Sequence, residues 1–272
     1  MFRHEKKRAM RITLVQSSIL WGDVDGNLER FGARLAQRLD TDIILLPEMF
    51  PCGSAMTRKA PEEMRRELAD HATRYGEVCA LMEAWAKAQN AAVIGSTVYG
   101  EGGQYYNRAV VAFPDSPSLH YDKRHCFRMG GEQDYFTAGH ERLVFSFRGA
   151  KIAIFICYDL RFPVWCRNTD RYDVAVFTAN WPEARREVWN ALLRARAIEN
   201  QAFAAGVNCV GTDAGGLRYA GDSAVWDARG KRCGGAEEHA EETVTVACDL
   251  EALDAFRQKF AVLEDRDEFE IT

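Results

Sequence analysis

Apolar positions along the chain change period repeatedly. Short unbroken apolar runs alternate with longer stretches in which apolar residues return every third or fourth position, so strands and helices alternate over most of the length. The runs predict strands at 11–19 and 42–47 with an amphipathic helix over 27–39 between them, and 61–89 carries helical spacing with a break near Gly76. From 92 onward strands follow closely, at 92–99, 108–113, 118–123, 143–147 and 151–157, separated by turn sequences such as Gly100-Glu101-Gly102-Gly103 and Pro114-Asp115-Ser116-Pro117. Alternation then resumes with a short helix at 162–168, a strand at 173–178, a helix at 185–201, strands at 202–210, 223–227 and 243–249, and a closing helix at 251–259. Helices at both ends of a strand-rich middle predict two sheets packed face to face with helices outside, a layered α/β sandwich. No repeat or linker divides it. A single domain is expected over 11–260, with 1–10 as an N-terminal arm and 261–272 as a C-terminal tail.

Composition narrows the partners. Of 272 residues 47% are hydrophobic and 28% charged, which suits one large domain with a substantial core. The net charge of -5 argues against nucleic acid or an anionic membrane as a partner, since both need clustered positive charge. The basic cluster Arg3 to Arg11 lacks the apolar segment of a secretory signal and reads as a solvated arm, and no apolar run is long enough to span a bilayer. The eight cysteines are scattered without a Cys-x-x-Cys pair, so the expectation is reduced thiols in a cytoplasmic protein and no metal site. His120 and His125 are too ill-placed along a strand to share a metal. Cys209 and Cys248 read as strand-core positions.

Three strand-like runs end in reactive side chains. Lys151-Ile152-Ala153-Ile154-Phe155-Ile156 delivers Cys157, Asp42-Ile43-Ile44-Leu45-Leu46-Pro47 delivers Glu48, and Ser118-Leu119-His120-Tyr121-Asp122 delivers Lys123. The carboxyl ends of buried strands open into the crevice where α/β folds bind ligands, so groups there are both rigid and reachable. Each has a plainer reading: Cys157 as a core thiol, Glu48 as a loop or helix-start carboxylate, Lys123 as a solvated charge. Together, a thiol, a carboxylate to take its proton and an ammonium beside a developing oxyanion make the equipment of thiol-based acyl transfer.

These segments carry a resemblance. Leu46-Pro47-Glu48, Tyr121-Asp122-Lys123-Arg124-His125 and Ile156-Cys157-Tyr158-Asp159-Leu160-Arg161-Phe162-Pro163 resemble, in order, the signature segments of the nitrilase (carbon-nitrogen hydrolase) superfamily. The similarity continues through Thr178-Ala179-Asn180-Trp181-Pro182 and Arg194 to Gln201. It implies a four-layer α-β-β-α sandwich, at least dimeric, with Cys157 as nucleophile, Glu48 as general base and Lys123 as oxyanion stabiliser. A second glutamate is expected after the lysine segment, Glu132 being the candidate and Asp134 its competitor. Within the superfamily the chain looks closest to the omega-amidase branch, from which Ser54 and Cys126 depart. The expectation is a cofactor-free amidase acting on small omega-amides of dicarboxylic acids, such as 2-oxoglutaramate or succinamate. A carbamoylase, a nitrile hydrolase or a catalytically silent binding module are the alternatives. Phe50, Phe127, Tyr158 and Trp181 are the expected pocket walls. Arg128 is the expected partner of a substrate carboxylate, with a solvated loop charge as its plainer reading, and a buried Arg161–Glu199 pair is expected to brace the turn that holds Cys157.

Overall fold

The computed structural model describes residues 9–53 and 60–271. Residues 1–8 of the expected arm, and Ser54, lie outside the described residues. One six-stranded sheet is ordered β14-β1-β2-β3-β4-β5, with β1 Met10–Gln16, β2 Ile43–Leu45, β3 Ala92–Glu101, β4 Gln104–Ala112, β5 Leu119–Asp122 and β14 Glu242–Cys248. The other is ordered β13-β12-β9-β8-β7-β6, with β6 Leu143–Phe147, β7 Ala150–Ile156, β8 Val174–Ala179, β9 Phe203–Asn208, β12 Ala224–Trp226 and β13 Arg232–Gly235.

Why these runs are apolar on every residue follows from what each face meets. In the first sheet Ile12, Leu14, Ile43, Leu45, Ala92 and Ile94 point inward and pack against the second sheet. The alternate residues Val15, Ile44, Leu46 and Val93 point outward, beneath helices α1 (Val24–Arg34), α2 (Pro61–Thr73) and α3 (Tyr75–Gln89). A strand buried on both faces cannot alternate polar with apolar, hence the unbroken runs. On the far side, Trp189, Leu193 and Ala197 of α4 (Arg186–Glu199) cover the second sheet, and α5 (Leu250–Lys259) closes the chain with Leu250 and Leu253 buried. The result is the expected α-β-β-α layering. Among the described residues no helix is long and apolar enough to cross a membrane.

Several elements depart from the sequence reading. The helical stretch from 61 breaks at Arg74 rather than Gly76. No helix forms over 162–168; instead a 3-10 turn, Cys157–Arg161, follows β7 at once. Asp159 explains it, because its Oδ2 accepts the N–H of Ile156 at 3.0 Å and folds the chain back directly after the strand. The strand expected over 202–210 stops at Asn208, whose side-chain Oδ1 takes the N–H of Cys209 at 3.0 Å. Beyond it the chain leaves the sheet as a hairpin, β10 (Val210–Thr212) and β11 (Arg218–Ala220). That hairpin becomes one wall of a cleft.

Candidate active site

Strands β1, β2 and β3 run parallel, as do β7, β8 and β9, so several carboxyl ends reach the same edge of the sandwich. There β2 leads to Glu48, β5 to Lys123, β7 to Cys157 and β8 to Asn180, and all four line one small cleft of about 90 Å3. Cys157 sits with φ of 42°, in the left-handed region that side-chain-bearing residues rarely adopt. Such strain persists only where the surroundings over-determine it. Here they do: Asp159 is fully buried and accepts from Ile156 N, Tyr121 Oη at 2.7 Å, and His125 through both its backbone N–H at 3.0 Å and Nδ1 at 2.8 Å. The turn that holds Cys157 is thereby tied to the loop carrying Lys123.

Lys123 is 2% exposed and donates to Glu48 Oε1 and Glu132 Oε1, each at 2.8 Å. Glu48 also accepts from Asn107 Nδ2 at 2.8 Å and from the backbone N–H of Asn180 at 2.9 Å. Glu132 holds the N–H of Phe127 through its other oxygen at 2.6 Å. Asp134, its competitor, is exposed, and its side chain accepts from Gln133 Nε2 at 3.2 Å. The structure thus gathers Glu48, Lys123, Glu132 and Cys157 into one buried cluster.

Two carboxylates around one ammonium leave a negative surplus beside the thiol. Burial, then the charge of Glu48, push the Cys157 thiol well above its ordinary value, with Lys123 opposing. Burial likewise raises Glu132 above the usual carboxylate range in spite of Lys123. Burial works against the Lys123 ammonium, but Glu132 and Glu48 outweigh it and hold Lys123 well above its normal range. The thiol is therefore protonated at neutral pH, and an attack by sulfur needs a base in contact. Glu48 lines the same cleft and its charge acts on Cys157.

The same burial has a consequence for stability. Packing raises Cys157 and Cys209, pushes Cys52 up to about 12, and raises the phenols of Tyr121 and Tyr172. An unfolded thiol loses its proton near 9 whereas the folded one keeps it, so the folded chain binds more protons above that value. Stability held below pH 9 should therefore fall steadily as pH rises from 9 toward 12. Thermal melting across that window checks this, and a flat profile would contradict it.

Phe127, Tyr158 and Trp181 line the cleft as expected. Phe50 and Arg128 do not. Phe50 is fully buried under the outer helices, its ring 5.2 Å from Phe31 and 6.2 Å from Trp85. Met49, at φ 48°, reverses the chain after Glu48, and Gly95 gives the Phe50 ring room that a Cβ would fill at 2.9 Å. Arg128 projects from a short 3-10 turn into solvent. The arginines that do line the cleft are Arg161, 4.9 Å over the Trp181 ring, and Arg185, 5.3 Å over the Phe127 ring. Neither has an ion-pair partner among the described residues. Arg161 accordingly does not pair with Glu199, which binds Arg196 one turn back at 2.7 Å. Arg196 is what braces the turn, donating to the carbonyl of Leu160 at 2.6 Å. Asn107, Asn180 and the hairpin residues Asp213, Leu217 and Tyr219 were not singled out in the sequence; for Asn180 the signal, a polar residue ending an apolar strand, was the one that exposed Glu48.

The carbon-nitrogen hydrolase family profile matches residues 11–258. The chain is 40% identical over 260 residues to the omega-amidase YafV of Yersinia enterocolitica, covering 96% of this chain and 98% of that one. It is 30% identical to the 2-oxoglutaramate amidase of Bacillus subtilis, across 93% of this chain and 97% of the relative. Among solved structures, a CN-hydrolase superfamily protein of Xanthomonas campestris with an arsenic adduct in its active site superimposes with a TM-score of 0.90 at 38% identity, over 97% of this chain and 100% of the other.

Proposed function

Because the chain belongs to the carbon-nitrogen hydrolase family, we propose that its cleft hydrolyses the terminal carboxamide of small dicarboxylic acid monoamides, of the 2-oxoglutaramate or succinamate type, to the acid and ammonia. The observation that carries this is the pairing of chemistries in one small cleft. A thiol, base and ammonium lie among its lining residues, together with two guanidinium groups that have aromatic support but no carboxylate of their own. A guanidinium over a ring face keeps its in-plane donors free to grip an incoming carboxylate.

Glu48 takes the thiol proton as Cys157 Sγ bonds to the carboxamide carbon, and the Lys123 ammonium stabilises the oxygen that becomes negative. The tetrahedral adduct collapses when Glu48 returns that proton to the nitrogen, breaking the C–N bond and releasing ammonia. Water then gives a proton to Glu48 and attacks the thioester, and the thiol is regenerated with the product acid. Glu132 serves this cycle by fixing Lys123 and the Phe127 backbone. No step needs a cofactor.

Purified enzyme should release ammonia from 2-oxoglutaramate or succinamate, with weak or no activity on aliphatic nitriles and long N-acyl amines. Replacing Arg161 or Arg185 with glutamine should raise KM for these two amides by about 10- to 100-fold, the scale of a lost hydrogen bond to a charged group. Ammonia from nitriles or carbamoyl compounds, but from neither amide, would contradict this substrate class while leaving the family intact. A homodimer in a reducing cytoplasm fits the same reading: all eight cysteines are free, and Val164 and Ile198 expose apolar side chains. Sedimentation velocity tests the dimer, a monomer at micromolar concentration counting against it.

A further inference from the structure

Asn107 is a polar residue buried at 2% exposure in β4, whose next buried positions, Ala109 to Ala112, are all apolar. Its amide is only half used. Nδ2 donates to Glu48 Oε1 at 2.8 Å, while Oδ1 is shut off from solvent and has no hydrogen-bond partner among the described residues. An unpaired buried carbonyl is costly to the fold, yet turning the amide over would set that oxygen against a carboxylate, which accepts and cannot donate. Glu48 therefore dictates how Asn107 points. The main chain of Asn107 serves the neighbouring group as well, its carbonyl accepting the N–H of Lys123 at 2.9 Å. One residue thus holds the base by its side chain and the backbone of the ammonium by its own.

What this does for Glu48 follows from its acceptor sites. Each carboxylate oxygen presents two in-plane lone pairs. Those of Oε1 are taken by Asn107 Nδ2 and Lys123 Nζ, each at 2.8 Å, whereas Oε2 accepts the Asn180 N–H at 2.9 Å and keeps one site open. Resting on the amidase reading above, we propose that Asn107 is a positioning residue that makes Oε2 the proton-carrying oxygen of Glu48. The thiol proton passes from Cys157 Sγ to Oε2 as the S–C bond forms, and from Oε2 to the leaving nitrogen as the C–N bond breaks. Oε1 stays an acceptor throughout, because a protonated carboxyl keeps one oxygen free of the proton, so Lys123 and Asn107 hold their bonds in both states. A proton on Oε1 would have to displace one of them. Without Asn107 the second site of Oε1 opens, and the base is no longer committed to one geometry.

The experiment measures kcat and KM for succinamate in the parent enzyme, Asn107→Leu and Asn107→Ser. Leucine fills much the same space but cannot donate, so kcat should fall by about 10- to 100-fold, the scale of one hydrogen bond to a charged group. Asn107 is not among the residues lining the cleft. KM should accordingly stay within about twofold of the parent's, the loss falling on the transition state. Asn107→Ser keeps a hydroxyl that can donate to Oε1 and should recover part of kcat, which a role in strand packing would not produce. If leucine prevents folding, Asn107→Ala against Asn107→Ser makes the same comparison, since those two differ by the hydroxyl alone. An unchanged kcat, a loss carried by KM, or a serine variant no faster than the leucine or alanine one would overturn the assignment. A parent enzyme inactive on succinamate would instead sink the substrate reading, and the same variants would then be compared on whichever nitrile or carbamoyl compound the parent turns over.

Discussion

Replacing Cys157 with alanine is expected to leave the fold and melting temperature close to the parent's while ammonia release falls by at least about four orders of magnitude, the scale on which losing one member of a nucleophile–base set removes covalent catalysis. The thiol is not unusually acidic. Burial and the neighbouring Glu48 hold it protonated, so its reactivity depends on a base positioned to take the proton during attack. Glu48→Gln should then cost about 100- to 10,000-fold in kcat/KM, since the amide cannot accept that proton. The two losses should not add in the double variant, because both residues act on one step. Alkylation by iodoacetamide gives an independent readout: without a preformed thiolate its rate should climb with pH through the neutral range rather than level off below pH 7.

The second large effect concerns Lys123. It is buried between two carboxylates, and Lys123→Met removes the one positive charge the cluster's hydrogen bonds show. Stranding carboxylates in a dry site should cost about 3–5 kcal/mol of stability. The pH dependence carries the sign. Glu132 already titrates above the usual range because of burial, and losing Lys123 raises it further. A carboxyl raised in the fold contributes stability below its unfolded value and loses it as pH rises through the folded one. The gap between variant and parent should thus be widest near neutrality and narrow on acidification, which denaturant melts at pH 5 and pH 7.5 would measure. A gap independent of pH would mean that packing, not charge, is what Lys123 supplies. Activity should be lost in either case, since the oxyanion has lost its counter-charge.

The layers were legible in the sequence because burial on both faces erases polar alternation: Ile43 and Leu45 face one way, Ile44 and Leu46 the other, and all are apolar. Two strand ends were legible for the same reason, since Glu48 and Cys157 each interrupt such a run, whereas Lys123 follows the half-exposed and partly polar strand Leu119–Asp122 and stood out only beside the other two. Side-chain direction beyond those ends was not. Whether Phe50 faces the cleft or the helices depends on the left-handed backbone of Met49 and the space above Gly95, neither of which leaves a periodic trace. Which arginine reaches the cleft depends on the tight turn after Cys157, which Asp159 closes by a side-chain bond to Ile156. Glu199 does not brace that turn, because a carboxylate one turn from Arg196 on the same helix finds its partner locally. Glu132 was distinguishable from Asp134 only by folding, because the 3-10 turn at 132–134 buries the first and exposes the second.

The measurement that bears most directly on the central claim is intact mass spectrometry of enzyme mixed with succinamate and acid-quenched within the first turnover. The expected result is a species heavier by one succinyl group, mapped by digestion to the peptide containing Cys157 and absent from Cys157→Ala. Ammonia release from an enzyme whose Cys157 stays unmodified at every quench time, with Cys157→Ala still active, would contradict it.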